Sequence, residues 1–298
     1  MTNTSDLWPA PAKLNLFLHI TARREDGYHE LQTLFQFIDY SDQLGFELRS
    51  DGQIKRLNPL ENVPFERDLC VRAAQLLRRS TGCELGADIF LEKNIPMGSG
   101  LGGGSSDAAT TLLVLNRLWK LQLSKARLAA LGAQLGADVP IFVHGHSAWA
   151  DGIGEVIEPV DLPESWYVVI FPAVMVPTGQ LFGDPELTRD ARPIKIRDYF
   201  AGGTVNAFEP IVRRKFPAVN QACEWLSNQA VNTAINSLGV PRMTGTGSCV
   251  FAAYADETSA KTVAENAKTD CPSDWQIIEA RSCSESPLAQ KMKTNAGR

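Results

Sequence analysis

The chain switches between two hydrophobic periods. From Lys13 to His19 apolar and polar positions alternate, with Leu14, Leu16 and Leu18 on one side and Lys13, Asn15, Phe17 and His19 on the other, which predicts a strand. The two-residue period returns from Leu85 to Glu92, and Pro96 ends that run. Between these strands Val71, Ala74 and Leu77 fall at helical spacing, with Asp68 as N-cap and Gly82 as the stop. A second helix follows a glycine-rich stretch, with Ser105 and Ser106 as its caps and Ala109, Leu112, Leu113 and Trp119 as its apolar stripe. Ser124 opens a third helix through Leu128, Leu131 and Leu135, which Gly136 stops. Beyond it the pattern reads as a strand from Tyr167 to Phe171, a proline-rich connection and helices between Asn206 and Leu238. A second glycine loop, a strand, a helix and a strand follow, and the tail from Lys291 to Arg298 is expected to fray.

The 298 residues amount to about two domains, divided here as 1–160 and 161–298. A composition of 44% hydrophobic and 21% charged residues excludes a disordered or fibrous chain. With 29 basic against 34 acidic residues the net charge is −5, which argues against a nucleic-acid partner. A local basic pocket for an acidic substrate stays open. The longest apolar stretch, Trp166 to Val176, is interrupted by Pro172 and falls short of the roughly 18 residues of a membrane span. Asp6, Pro9 and Pro11 near the start, without a basic segment, do not make a signal peptide. The six cysteines form no CxxC pair, so reduced thiols in a cytoplasmic protein are expected, with no membrane partner.

The most informative segment is Pro96-Met97-Gly98-Ser99-Gly100-Leu101-Gly102-Gly103-Gly104-Ser105-Ser106. Its glycines permit close backbone approach to a ligand, and the helix behind it turns free N–H groups and a positive dipole end toward the loop. This is a cradle for phosphate. Gly98-x-Gly100-x-x-Gly103 matches the dinucleotide fingerprint in letters, but no acidic residue stands between Asp107 and Asp138 to hold a ribose. A Walker A loop needs Gly-Lys-Ser/Thr where this chain has Gly103-Gly104, and the H-R-D and D-F-G strings of protein kinases are absent.

The segment instead resembles the second motif of the GHMP kinase family. Pro11-Ala-Lys-Leu-Asn-Leu-Phe-Leu18 resembles the first motif and Thr244-Gly-Thr-Gly-Ser-Cys-Val250 the third, in the family's order across almost the whole chain. The resemblance implies an α+β, two-domain fold with the active site in the interdomain cleft. It also implies ATP-dependent phosphorylation of a small-molecule alcohol. Gly27-Tyr-His29, Gly136-Ala-Asp-Val-Pro140 and Pro177-Thr178 are worded as in the branch acting on a cytidine-diphosphate polyol. Members acting on homoserine, mevalonate or a sugar, and a nucleotide-binding protein without catalysis, are the competing readings.

Phosphoryl transfer needs a cradle, a positive group and help with the hydroxyl proton. The resemblance places Lys13 and Asp138 at the catalytic positions, the aspartate as base or as the group that positions the hydroxyl. By spacing alone Lys13 is equally an edge-strand lysine, and Asp138 a turn or cap carboxylate. Asn15 shares the Lys13 face and is either a substrate contact or a buried strand amide. Tyr28 and His29 suit a cytosine, with Phe182 as second stacking partner and Thr178 on the polyol or diphosphate, by resemblance. Lys93 is an ATP contact or a strand-end charge, and the third motif touches phosphate or buttresses the first loop. Magnesium is expected with ATP, its protein ligands unassigned: Asp107 is explained by the helix dipole, and His144 and His146 lack a third ligand. Two departures from the family stand out, Asp68-Leu69 for Asn-Leu and Asn206-Ala207-Phe208-Glu209 for an Asn-Asp pair. A monomer or weak homodimer is expected.

Overall fold

The computed structural model describes residues 7–25, 27–61, 63–202, 204–230 and 236–295. Asp6 and the 231–235 part of the expected helical stretch lie outside them. The chain begins with strands β1 (Trp8–Arg23), β2 (His29–Arg49) and β3 (Ile54–Arg56), then helix α1 (Leu69–Thr81) and strand β4 (Gly86–Glu92). Helices α2 (Gly103–Leu118), α3 (Lys125–Gly132) and α4 (Val139–His144) follow, then β5 (Ala148–Asp151), β6 (Val156–Pro159) and β7 (Trp166–Phe171). The remainder is α5 (Thr178–Phe182), α6 (Ile196–Phe200), α7 (Glu209–Lys215), α8 (Pro217–Ala230), β8 (Arg242–Met243), β9 (Val250–Tyr254), α9 (Glu257–Asp270), β10 (Gln276–Cys283) and α10 (Pro287–Thr294).

The expected strand at 13–19 is the middle of β1, which pairs antiparallel with β2 along its length. Its polar side does not face water: Lys13, Asn15 and His19 are as buried as Leu14 and Phe17. Of that side Lys13 and Asn15 line a cavity, whereas His19 Nε2 accepts from Val205 N at 3.4 Å. Register shifts between Pro11 and Lys13, and between Asn15 and Leu18, twist the strand where those residues lie. β2 also pairs β4, β5 and β10, and β10 continues to β7, giving the order β3-β4-β2-β10-β7-β9-β8. One apolar cluster lies between α1, α2 and the β2–β4 sheet, a second between α7, α8, α9 and β7–β9, and a third along β1 joins them.

Asp68 and Gly82 cap α1 as expected: the Asp68 carboxylate accepts from Cys70 N and Val71 N, and Gly82 is left-handed at φ 68°. Three helix ends differ from the sequence reading. Gly102, at φ 77°, is the N-cap of α2, so Ser105 and Ser106 lie within its first turns and do not cap it. α3 stops at Gly132 and the chain turns through Leu135; at Gly132 a Cβ would lie 2.6 Å from Val139, so α4 packs closely on it. Pro140 sits inside the first turn of α4, where its missing N–H costs nothing. The tail does not fray over its described part: α10 is capped by Ser286, buries Leu288 and bonds Lys291 Nζ to Leu7 O.

Candidate active site

The glycine loop is built from contact with the third motif. At Gly100, φ 81° and a Cβ position only 2.3 Å from Thr244 O leave room for glycine alone. Cys249 N donates to Ser99 O at 2.9 Å, and the Thr244 hydroxyl donates to Gly100 O at 3.4 Å. Because α2 starts at Gly102, the N–H groups of Gly103, Gly104 and Ser105 have no acceptor in their own helix. Pro96, Met97, Gly98, Ser99, Gly100, Gly102, Gly103, Gly104 and Ser105 line one cavity of about 580 Å³. Leu101 and Ser106 are fully buried behind its wall.

Lys13 stands at the floor of this cavity. Its backbone N donates to Leu101 O at 3.0 Å, pinning β1 to the loop. Its ammonium, with the residue 2% exposed, donates to Gly100 O at 3.0 Å and to Asn15 Oδ1, and lies 3.4 Å from Asp138 Oδ2. Asn15 is held in turn, its Nδ2 donating to Thr33 Oγ1 at 3.0 Å and its N to Thr244 Oγ1 at 2.9 Å. Asp138 makes no side-chain cap bond on α4, and its side chain is 38% exposed at the cavity. Asp138 thus occupies the N-cap position of α4 without a side-chain cap bond, and Lys13 is not at an exposed edge.

Lys93 also lines the cavity, but its ammonium bonds both Asp42 and Asp107, the latter at 2.9 Å. Burial lowers the Lys93 pKa, yet the Asp107 and Asp42 carboxylates outweigh it and hold it above its ordinary value. Burial pushes the Asp107 carboxyl up to about 7 against the pull of Lys93. At the far end, Thr178 and Phe182 line the cavity, with Thr178 Oγ1 2.8 Å from Thr246 Oγ1. His29 packs under Phe182, ring centroids 5.2 Å apart, while Tyr28 stands exposed outside the lining.

The structure adds residues that no motif announced. Arg189 donates to His29 Nε2 at 3.2 Å and to the carbonyls of Phe182, Asp184 and Leu187. The His29 pKa is lowered, first by burial and then by Arg189 and Arg23, so the ring is neutral and accepts. The two family departures are structural. Asn206 Nδ2 donates to Met243 O and Gly245 O, both at 2.8 Å, and Met243 N donates to Glu209 Oε2 at 3.0 Å, so the pair clamps the third motif. Asp68 takes Arg56 as its counter-ion at 2.8 Å, with both side chains under 5% exposed. Asp68 and Phe208 both line the cavity. Among the described residues no three His, Cys, Asp or Glu side chains gather in a group that could hold a metal ion. No described helix is long and apolar enough to cross a membrane, and the six cysteines are unpaired.

Comparison with known proteins gives the same assignment. The GHMP kinases N terminal domain matches residues 68–146 and the GHMP kinases C terminal domain residues 187–273. A 4-diphosphocytidyl-2-C-methyl-D-erythritol kinase of Nitrosococcus oceani is 52% identical over 95% of this chain and 96% of its own. One of Pseudomonas aeruginosa is 48% identical over 96% and 97%. A crystal structure of 4-(cytidine 5'-diphospho)-2C-methyl-D-erythritol kinase superposes with a TM-score of 0.77 at 33% identity, covering 93% of this chain and 98% of that one. A mevalonate kinase, at 15% identity and a TM-score of 0.65 over 94% of this chain and 99% of its own, shares the fold. Two glycine-bearing segments packed against the Lys13 strand, and relatives matched end to end, make this chain a member of the GHMP kinase family.

Proposed function

We propose that the chain transfers the γ-phosphoryl group of MgATP to the 2-hydroxyl of 4-diphosphocytidyl-2-C-methyl-D-erythritol, a step of non-mevalonate isoprenoid biosynthesis in the cytoplasm. The observation that carries the chemistry is the Lys13 ammonium, 3.0 Å from the phosphate-loop carbonyl Gly100 O and 3.4 Å from Asp138 Oδ2. A hydroxyl presented beside this pair from the cavity meets a cation that stabilises developing alkoxide charge and a carboxylate that accepts its proton or fixes its direction. Asn15 aims the lysine. The N–H groups at the start of α2 hold the phosphates, and Lys93, bound by its two carboxylates, shapes the wall beneath them. Phe182 and His29, with Tyr28 at the rim, form the cytidine end, and Thr178 faces the polyol diphosphate. In this reading the cleft lies between halves 1–160 and 161–298, and one chain, as monomer or weak dimer, carries every group required.

Purified protein with MgATP and a panel of alcohols, scored by ADP release, tests this. Turnover confined to the cytidine-diphosphate polyol is expected; preference for homoserine or mevalonate overturns the substrate, and no turnover with any alcohol overturns catalysis. Asp138→Asn separates the two aspartate roles. Near-normal turnover with tight binding of both substrates would remove it as base.

A further inference from the structure

Beneath the first residue of α2 lies a cluster the transfer chemistry does not use. A Cβ on Gly103 would sit 2.8 Å from Lys93 Nζ, which places that ammonium directly under the phosphate loop. Two carboxylates share it, Asp42 from β2 and Asp107 from α2. They are not equivalent. Asp42 is fully buried with both oxygens occupied: Oδ2 by Lys93, Oδ1 by Asn94 N at 2.6 Å and Ile95 N at 2.7 Å. Asp107 is 3% exposed, accepts from Lys93 on Oδ2 alone, and its buried Oδ1 has no hydrogen-bond partner. Asp107 also lines the nucleotide cavity, whereas Asp42 does not.

The charges around Asp107 do not balance. From the β4 side comes Lys93, from β2 Asp42, and from α1 the Cys70 thiol, which burial, then Asp107 and Asp68, hold well above its ordinary value and therefore neutral. Asp68 is spent on Arg56. Two carboxylates against one ammonium leave one uncompensated negative charge in a buried place, next to a loop built to receive a polyanion. An unpartnered oxygen and an uncompensated charge at one residue have a common remedy, a proton.

We propose that Asp107 is a proton-linked residue of the nucleotide site: it binds a proton as the phosphate chain settles over Gly103, which neutralises the cluster and gives the free oxygen an O–H donor. This rests on the nucleotide reading above. With Asp107 already pushed up to about 7 by burial, the carboxyl is mostly ionised in the free protein at pH 8. A polyanion at the loop raises the carboxyl further, so binding at pH 8 draws a proton from solution. The sign follows: nucleotide affinity is highest below pH 7 and weakens above it, by up to tenfold per pH unit.

Calorimetric titration of the full chain with MgADP at pH 8, in two buffers of different ionisation enthalpy, counts protons without turnover. Uptake of about half to one proton per site is expected, and Asp107→Asn, whose amide already donates, should abolish it and flatten the affinity between pH 7 and 9. Difference infrared spectra of the wild-type protein supply a reading that needs no variant: a protonated-carboxyl carbonyl band should appear with MgADP. MgADP binding without proton uptake, or equal uptake in Asp107→Asn, overturns the proposal and leaves the nucleotide reading intact. A folded protein that does not bind MgADP overturns both.

Discussion

Replacing Asp68 by asparagine, the residue more usual in the family, should harm this chain, because Arg56 has come to depend on the charge. The Arg56 and Asp68 side chains are 3% and 4% exposed, and the guanidinium Nε bonds Asp68 Oδ2 at 2.8 Å. Arg56 Nη1 and Nη2 are buried with no partner, so among the described residues Asp68 is the one anion in contact with that cation. Removing one member of a buried pair costs about 3–5 kcal/mol. Asparagine keeps a carbonyl for Cys70 N and Val71 N, which saves the cap and places the loss near the lower figure. About 3 kcal/mol corresponds to a fall in Tm of roughly 6–12 °C for a cooperative unit of ordinary size. Arg56→Met with Asp68→Asn removes both charges at similar volume and should return to within about 1 kcal/mol of wild type. Urea unfolding of the two single variants and the double variant gives the coupling energy. A coupling below about 0.5 kcal/mol, or a double variant no better than Asp68→Asn, refutes the argument that Arg56 compensates the departure.

Further outcomes bear on the site. Lys13→Met should lower kcat by about a hundred- to a thousandfold, in line with losing a charge that acts on the transition state, with MgATP affinity changed far less; equal losses in both would assign Lys13 to ground-state binding. Gly100→Ala should abolish turnover, since its Cβ would drive into Thr244 O at 2.3 Å; an active variant would mean the loop and third motif are not held together there. His29, lowered by burial and by Arg189, favours the neutral ring, so its contribution is complete above pH 6.5 and is lost as pH falls below that. Arg189→Met should raise the His29 titration seen by NMR, and an unmoved titration contradicts the Arg189 contact.

The motifs that were legible in the sequence are those where chemistry limits the residue choice. Glycines at 98–104, a lysine framed by Pro11 and Leu14, and an aspartate between Gly136 and Pro140 can be read because few other residues satisfy those positions. β2 was not legible. Its central run is buried on both faces, which erases the alternation that marks a half-exposed strand. The start of α2 departs from the serine caps the sequence suggests, since a left-handed Gly102 begins the helix and leaves its first N–H groups without a side-chain cap. Asp42, and Arg189 in its bond to His29, act on partners far away in sequence, so no local pattern marks them. The contact between Asn206 and Gly245 exists only once β8 and α7 have met.

The pairing of β10 with both β2 and β7 has a consequence for how the enzyme comes into being. Arg281 N reaches Asp39 across 242 positions, and the Asn15–Thr244 bond that steadies the lysine spans 229. Such distant closures are entropically slow and come late. A chain emerging from the ribosome presents β1, the glycine loop and Asp138 long before Thr244 or β10 exists to fasten them. On the proposed mechanism the first half therefore holds Lys13 and Asp138 before Thr244, whose hydroxyl accepts from Asn15 N, has been made, and activity is expected to await the second half.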